Sequence, residues 1–184
     1  MNRSLTITAT SSNPALIPNP TITYTSPSAT GLLRFAPATG VGGTANITVT
    51  VNDGGSANST VTRTFAVTVN RLPTITSIAN QTNSIGQSFA PITFTIGDTE
   101  TAANQLVVTA SSTNATVVSS AGLSLSGTGA SRTLSITPEA EATGLTSITV
   151  TVSDGQGSAQ TTFLVRIKPL PVAPQNLRVV LAAP

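Results

Sequence analysis

Apolar residues alternate with threonine and serine along most of this chain of 184 residues. In residues 148–153, for example, the order is Ile-Thr-Val-Thr-Val-Ser. Because successive side chains of a strand point to opposite faces of a sheet, this alternation predicts antiparallel strands with one face in a core and one in water. Turn sequences rich in Asp and Gly separate the segments, and no segment shows the period of about 3.6 residues that indicates an amphipathic helix. The pattern therefore predicts an all-β fold.

The alternating pattern occurs twice along the chain. Residues 47–54 read Ile-Thr-Val-Thr-Val-Asn-Asp-Gly, and residues 148–155 repeat this phrase with a single change, Asn to Ser. The first copy then carries three extra residues, after which Phe65 matches Phe163. A match that keeps its apolar phase over so many positions indicates a duplicated structural module.

The two copies differ in how many strands they contain. The alternation and turns of the second copy predict seven strands, which is the number found in an immunoglobulin-type sandwich. The predicted strands are 73–79, 89–97, 104–111, 121–126, 131–137, 146–153 and 159–168. Residues 73–101 have no counterpart in the first copy, so the sequence predicts tandem immunoglobulin-like β-sandwiches, the first lacking its first two strands. The predicted division is an incomplete module with strands C to G at 1-70, a complete module at 71-169, and a C-terminal tail at 170-184.

Three segments of the second module resemble the immunoglobulin-like and cadherin-like tandem repeats of large bacterial secreted and cell-surface proteins. They are residues 131–138, 148–155 and 162–165. The tail, from Pro171 to Val180, is similar to the opening of a fibronectin type III module. The resemblance implies a β-sandwich and an extracellular or cell-surface location, whereas proteins built from such repeats perform many different functions.

A sandwich without its opening strands has an unpaired strand edge and uncovered apolar side chains. We expect this acceptor edge at Leu33 and Phe35. The tail has the phase to fill it, since Leu177, Val179 and Leu181 alternate in the same way as Ile92, Phe94 and Ile96 of the second module. Leu170-Pro171 also repeats Leu72-Pro73 after the last strand of each module. Strand donation from one copy to the next is therefore one hypothesis, and a piece cut from a longer array of repeats is the other.

Composition removes several classes of function. Charged residues make up 8% of the chain, and it has neither Cys nor His, which excludes disulfides, Cys/His zinc sites and histidine acid–base catalysis. Its Lys and Arg residues are scattered, whereas nucleic-acid binding needs them clustered. No apolar run reaches the roughly 18 residues of a membrane span. We expect no enzyme activity, no nucleic-acid partner and no membrane span.

The few carboxylates offer one candidate ligand site. Asp98 and Glu100 follow a strand, and Asp154 ends another. In the cadherin-like repeats that the module resembles, acidic residues near a module pole can bind calcium, so the resemblance implies that these three residues are candidate calcium ligands. The alternative is that each Asp only stabilises its turn. No other cofactor is expected. The predicted function is thus a non-enzymatic extracellular structural protein, either a stalk or a filament subunit whose partners are other copies of itself, head to tail. The alternative function is an adhesin or a carbohydrate- or calcium-binding repeat, with a glycan or surface ligand as partner.

Overall fold

The computed structural model describes residues 4–172, and nearly every regular element in that range is a β-strand. The all-β prediction is confirmed. The proposed donor residues Leu177, Val179 and Leu181 lie outside the described residues. Within residues 4–172, no helix is long and apolar enough to cross a membrane.

The first half of the chain forms two small antiparallel sheets. The central strand of the larger sheet, β4, pairs with β1 on one side and β5 on the other, and the second sheet is the hairpin β2–β3. The bounds are β1 Thr6–Ser11, β2 Thr21–Thr23, β3 Leu32–Arg34, β4 Gly43–Asn52 and β5 Thr60–Val69.

The second half forms a sandwich of two four-stranded sheets, ordered β10-β11-β8-β6 and β7-β13-β12-β9. Of the strand predicted at 73–79, only β6 at Thr74–Ile75 forms, and it pairs with β8. The chain then crosses to the other sheet, where β7 at Gln81–Ser84, a strand that was not predicted, pairs in parallel with β13. A 3₁₀ turn at Ser120–Gly122 precedes β10. The strand bounds are β6 Thr74–Ile75, β7 Gln81–Ser84, β8 Ile92–Gly97, β9 Val107–Ser112, β10 Leu123–Ser126, β11 Ser131–Ile136, β12 Gly144–Ser153 and β13 Ser158–Lys168.

The two halves bury very different amounts of apolar surface. In the second half, the inward-facing residues of β12 and β13 alternate with exposed or half-buried ones, as the sequence pattern predicts, and they join side chains of β8 and β11 in one core. The core of the first half has only four buried members, which are Leu16, Ile17, Ala45 and Ile47. Because each fully buried aliphatic side chain stabilises a fold by about 1.5–3 kcal/mol, the first half has much less hydrophobic stabilisation than the second.

The outer faces of the long hairpins carry threonine hydroxyls that contact each other across neighbouring strands. Thr48 Oγ1 lies 3.0 Å from Thr64 Oγ1 on the β4–β5 hairpin, and Thr149 Oγ1 lies 3.1 Å from Thr162 Oγ1 on the β12–β13 hairpin. Such cross-strand pairs are a regular source of sheet stabilisation. The polar half of the alternation is thus used for hydroxyl contacts rather than for ion pairs.

Candidate functional site

The first candidate feature is an unpaired strand edge in the first half. Among the residues that the structure describes, strand β3 pairs only with β2, whereas its repeat counterpart β11 lies between β10 and β8. In the second half, Leu134 of β11 stands opposite Ile92 of β8. No strand of the described first half takes the position of β8, so one edge of β3 has peptide groups available for pairing with another segment.

The inner face of β5 is uncovered for the same reason. Phe65 exposes 41% of its surface, although its repeat counterpart Phe163 exposes 2%. The Phe65 ring instead lies against Phe35, with 6.2 Å between ring centroids, and Phe35 itself exposes 39% of its surface. Both residues have the alternation phase of core residues in the sequence, but within residues 4–172 no strand equivalent to β8 covers them.

A groove opens between the two sheets of the first half. Its volume is about 140 Å³, and its lining is mostly aliphatic. We call it the open groove, and its lining residues are Ile7, Ile22, Gly31, Leu32, Leu33, Val49 and Val51. Of the two predicted acceptor residues, Leu33 lies in the open groove, while Phe35 lines a neighbouring hollow with Pro18 and Thr21.

One cation shares the uncovered face of β5. Arg63 stands opposite Val49 in the register and so has the same phase as Phe65. Its guanidinium donates to the Thr62 carbonyl oxygen at 2.8 Å, and the side chain is exposed. A strand that covers this face must leave the Arg63 guanidinium in water, which a long side chain allows by extending to the rim.

The second candidate feature is a polar junction between the two halves. Asn70, the residue after β5, donates its side-chain N–H to Asp154 Oδ2 at 2.9 Å. The backbone N–H of the next residue, Arg71, donates to Glu100 Oε2 at 3.0 Å. Asp98 holds the turn that carries Glu100, since its Oδ1 accepts the backbone N–H of Glu100 at 2.8 Å. The structure therefore connects Glu100 and Asp154 to consecutive linker residues.

The carboxylate of Asp154 is surrounded by hydrogen-bond donors. Besides Asn70, the backbone N–H groups of Gln156 and Gly157 donate to its Oδ1, at 2.7 and 2.6 Å. These donors, the Asn70 side chain first, hold the pKa of Asp154 below its ordinary value of 3.8, because they stabilise the ionised form. Asp154 is therefore a fixed negative charge at the junction under all but strongly acidic conditions.

Replacing Asn70 by Ala is expected to raise the pKa of Asp154 towards its ordinary value. A lowered folded-state pKa contributes stability that is present above pH 3.8 and is lost as the pH falls through the folded value. The Asn70→Ala protein should therefore lose less stability on acidification than the parent chain does. Carboxyl NMR titration measures the pKa directly, and Asn104→Ala, in an exposed loop, is the matched control. An unchanged pKa in Asn70→Ala would show that the amide does not hold the carboxylate.

Three oxygen atoms at the junction are buried and have no hydrogen-bond partner: Asn70 Oδ1, Asp98 Oδ2 and Glu100 Oε1. Buried acceptors without partners are costly, so such atoms indicate a place for water or a cation. Within residues 4–172, however, no group of three or more acidic side chains is arranged to hold a metal ion. A calcium ion here would need amide, carbonyl and water oxygens as well, and the assignment of Asp98, Glu100 and Asp154 as ligands stays a prediction. Asn70 carries no sequence signal of its own, because an isolated linker amide belongs to no motif.

No family model matches the chain, and no curated protein matches its sequence. Solved structures similar to it include an endo-fucoidan hydrolase of glycoside hydrolase family 107, at 22% identity over 92% of this chain and 24% of that one, with a TM-score of 0.38. Domains 4 and 5 of the S-layer protein SbsC are similar at 21% identity, over 88% and 76%, with a TM-score of 0.34. Three repeats of mouse cadherin-23 are similar at 14% identity, over 90% and 54%, with a TM-score of 0.43.

This chain spans about a quarter of the length of the fucoidan hydrolases to which it is similar. The similar structures thus include cadherin repeats, an S-layer protein and parts of hydrolases. Repeats of one architecture occur in proteins with unrelated activities, so no function follows from these similarities.

Proposed function

We propose that this protein is a non-enzymatic extracellular structural subunit that assembles head to tail. Residues 170-184 of one copy would complete the sandwich formed by residues 1-70 of the next. The observation that supports this proposal is the open groove together with the unpaired edge of β3 beside it.

The apolar phase of the tail suits the open groove. In the second half, β8 supplies Phe94 and Ile96 to the core, where they expose 3% and 2% of their surface. In the tail, Leu177, Val179 and Leu181 have the same alternation. Burying each of these side chains would favour binding by about 1.5–3 kcal/mol. Ordering the backbone of each tail residue would oppose binding by about 1–2 kcal/mol of conformational entropy. Main-chain hydrogen bonds to β3 therefore have to contribute to the affinity, as they do when an added strand extends a sheet.

A donor at one end of the chain and an acceptor at the other form a head-to-tail contact. A contact of this kind produces an open filament unless the rotation between copies closes a ring. The outward faces suit a structural role outside the cell, since they are rich in threonine, low in charge and free of cysteine. No step in this assembly requires a catalytic residue or a cofactor.

Negative-stain electron microscopy and sedimentation velocity test the proposal. The full chain is expected to form filaments whose mean length rises with concentration, and a variant that lacks 170–184 is expected to stay monomeric. A synthetic peptide of residues 170–184 should then bind the deletion variant with one-to-one stoichiometry. A full chain that is monomeric at every concentration, with the same sedimentation profile as the deletion variant, would contradict the proposal and favour a piece of a longer array.

A calcium-binding repeat is the second candidate, and the unpaired buried oxygens of Asn70, Asp98 and Glu100 favour it. If calcium binds at the junction, it should raise the melting temperature of the full chain and give measurable heat by calorimetry. Glu100→Gln should abolish both effects, whereas Glu139→Gln, at an exposed carboxylate in another loop, should retain them. An absence of heat together with an unchanged melting temperature in the full chain would exclude this candidate.

A further inference from the structure

The contact that joins the two halves of this chain has two parts. The residue that follows β5, Asn70, binds Asp154 on the loop after β12. Two residues further on, the Leu72 side chain lies against Gly157 of the same loop, so closely that any Cβ on the glycine would collide with it. The end of one module is thus fixed to the loop between the two longest strands of the next.

The positions of Asn70 and Asp154 both have counterparts in the repeat, at the two opposite ends of the chain. Lys168 ends β13 at the position that Asn70 takes after β5, and Leu170-Pro171 repeats Leu72-Pro73. Asp53 follows β4 at the position that Asp154 takes after β12.

The two Asp residues also organise their loops in the same way. Asp53 Oδ1 accepts the backbone N–H of Gly55 at 2.8 Å, and Asp154 Oδ1 accepts that of Gln156 at 2.7 Å. Each of these backbone donors lies two residues further along the chain than its Asp, so both carboxylates cap the same kind of tight turn.

We infer that Lys168 of one copy pairs with Asp53 of the next copy, in the way that Asn70 pairs with Asp154 within the chain. This inference rests on the proposed head-to-tail assembly and names the polar contact that sets its geometry. Lys168 is exposed at the end of its strand, and it is the only lysine of the chain. Exchanging the Asn amide for a Lys ammonium keeps a hydrogen-bond donor at this position and adds a charge opposite to that of the carboxylate.

Other differences between the two ends fit an ionic contact. The residue equivalent to Arg71 is Pro169, which has no N–H to donate to an acceptor such as Glu100. The loop after β4 is also larger, since Asp53 N bonds Ser59 O whereas Asp154 N bonds Gly157 O. A longer side chain than that of Asn is needed to reach over a larger loop.

A double-mutant cycle on the full chain tests the pair. Lys168→Glu replaces attraction by repulsion and is expected to raise the concentration needed for half-maximal assembly by about five- to tenfold. Asp53→Asn keeps the oxygen that accepts the Gly55 N–H but removes the charge, and in this background the penalty of Lys168→Glu should fall to about twofold. Arg166→Glu, at an exposed cation two residues earlier on the same strand, is the matched control and should leave assembly unchanged.

The outcomes separate this contact from the assembly itself. A full chain that never assembles overturns the head-to-tail proposal and this contact with it. The contact alone is overturned if the full chain assembles through its tail but Lys168→Glu has the same effect whether residue 53 is Asp or Asn. Thermal unfolding of each variant, measured in the background lacking 170–184, confirms that both substitutions leave the fold intact.

Discussion

Replacing Phe163 by Ala is expected to destabilise the second half by about 3–5 kcal/mol, the usual cost of removing a buried aromatic side chain. Phe163 exposes 2% of its surface and lies in a core built by both sheets. Phe65, at the same position in the first half, exposes 41%. Its replacement by Ala should cost less, about 1–2 kcal/mol, because a large part of the side chain is already exposed to water.

Thermal and denaturant unfolding of the two variants, each in a background lacking 170–184, measures this difference without interference from assembly. At about 4–8 °C per kcal/mol for a domain of this size, Phe163→Ala should lower the melting temperature of the second half by more than about 10 °C. Equal losses for the two variants would mean that the first half is closed over Phe65. In the full chain, Phe65→Ala should also weaken assembly. If the substitution leaves assembly unchanged, the donated segment does not bind over Phe65.

Replacing Val179 by Asp is expected to abolish assembly at concentrations where Val180→Asp has little effect. The two valines are neighbours in the sequence, and alternate residues of a strand face opposite sides. Only Val179 shares the phase of Leu177 and Leu181, so only its substitution would place a carboxylate in the open groove. The substitution removes an apolar contact and buries a charge, which together weaken the free energy of binding by at least about 3 kcal/mol. The dissociation constant should therefore rise about a hundredfold or more.

Sedimentation velocity across a concentration series gives both dissociation constants. The comparison needs no assumption about folding of the acceptor, since both substitutions lie in the tail. Equal effects at the two positions would show that the tail does not bind as an alternating strand, and an absence of effect at both would remove the tail from the interface.

The strands were predictable because their chemistry is local. Alternation along β12 and β13 reflects which face of each strand is buried, and that pattern is present in the sequence itself. The short β6 and the separate strand β7 were not predictable, because they depend on which sheet offers a free edge to each segment. The repeat predicts that the first half lacks counterparts of residues 73–101, because no segment of the first copy matches them.

Which side chains are buried in the first half could not be derived from the apolar–polar alternation alone. Phe35 and Phe65 have the pattern of core residues, yet a residue is buried only if a partner strand covers it. The junction was partly predictable: Asp98, Glu100 and Asp154 stood out as the few acids near strand ends, while the role of Asn70 depends on how two modules meet. The module boundaries and the donor and acceptor residues stay predictions.

In the proposed filament, the threonine pairs on the outer hairpin faces would determine how neighbouring fibres contact each other. The outward positions of β1, β4 and β5 contain Thr, Asn and Ala but no residue that ionises. Two such faces can therefore approach side by side without electrostatic repulsion, at low and at high ionic strength. What opposes lateral bundling is the water held by the hydroxyl groups, so the spacing between neighbouring fibres should respond to drying far more than to acidity or dissolved salt.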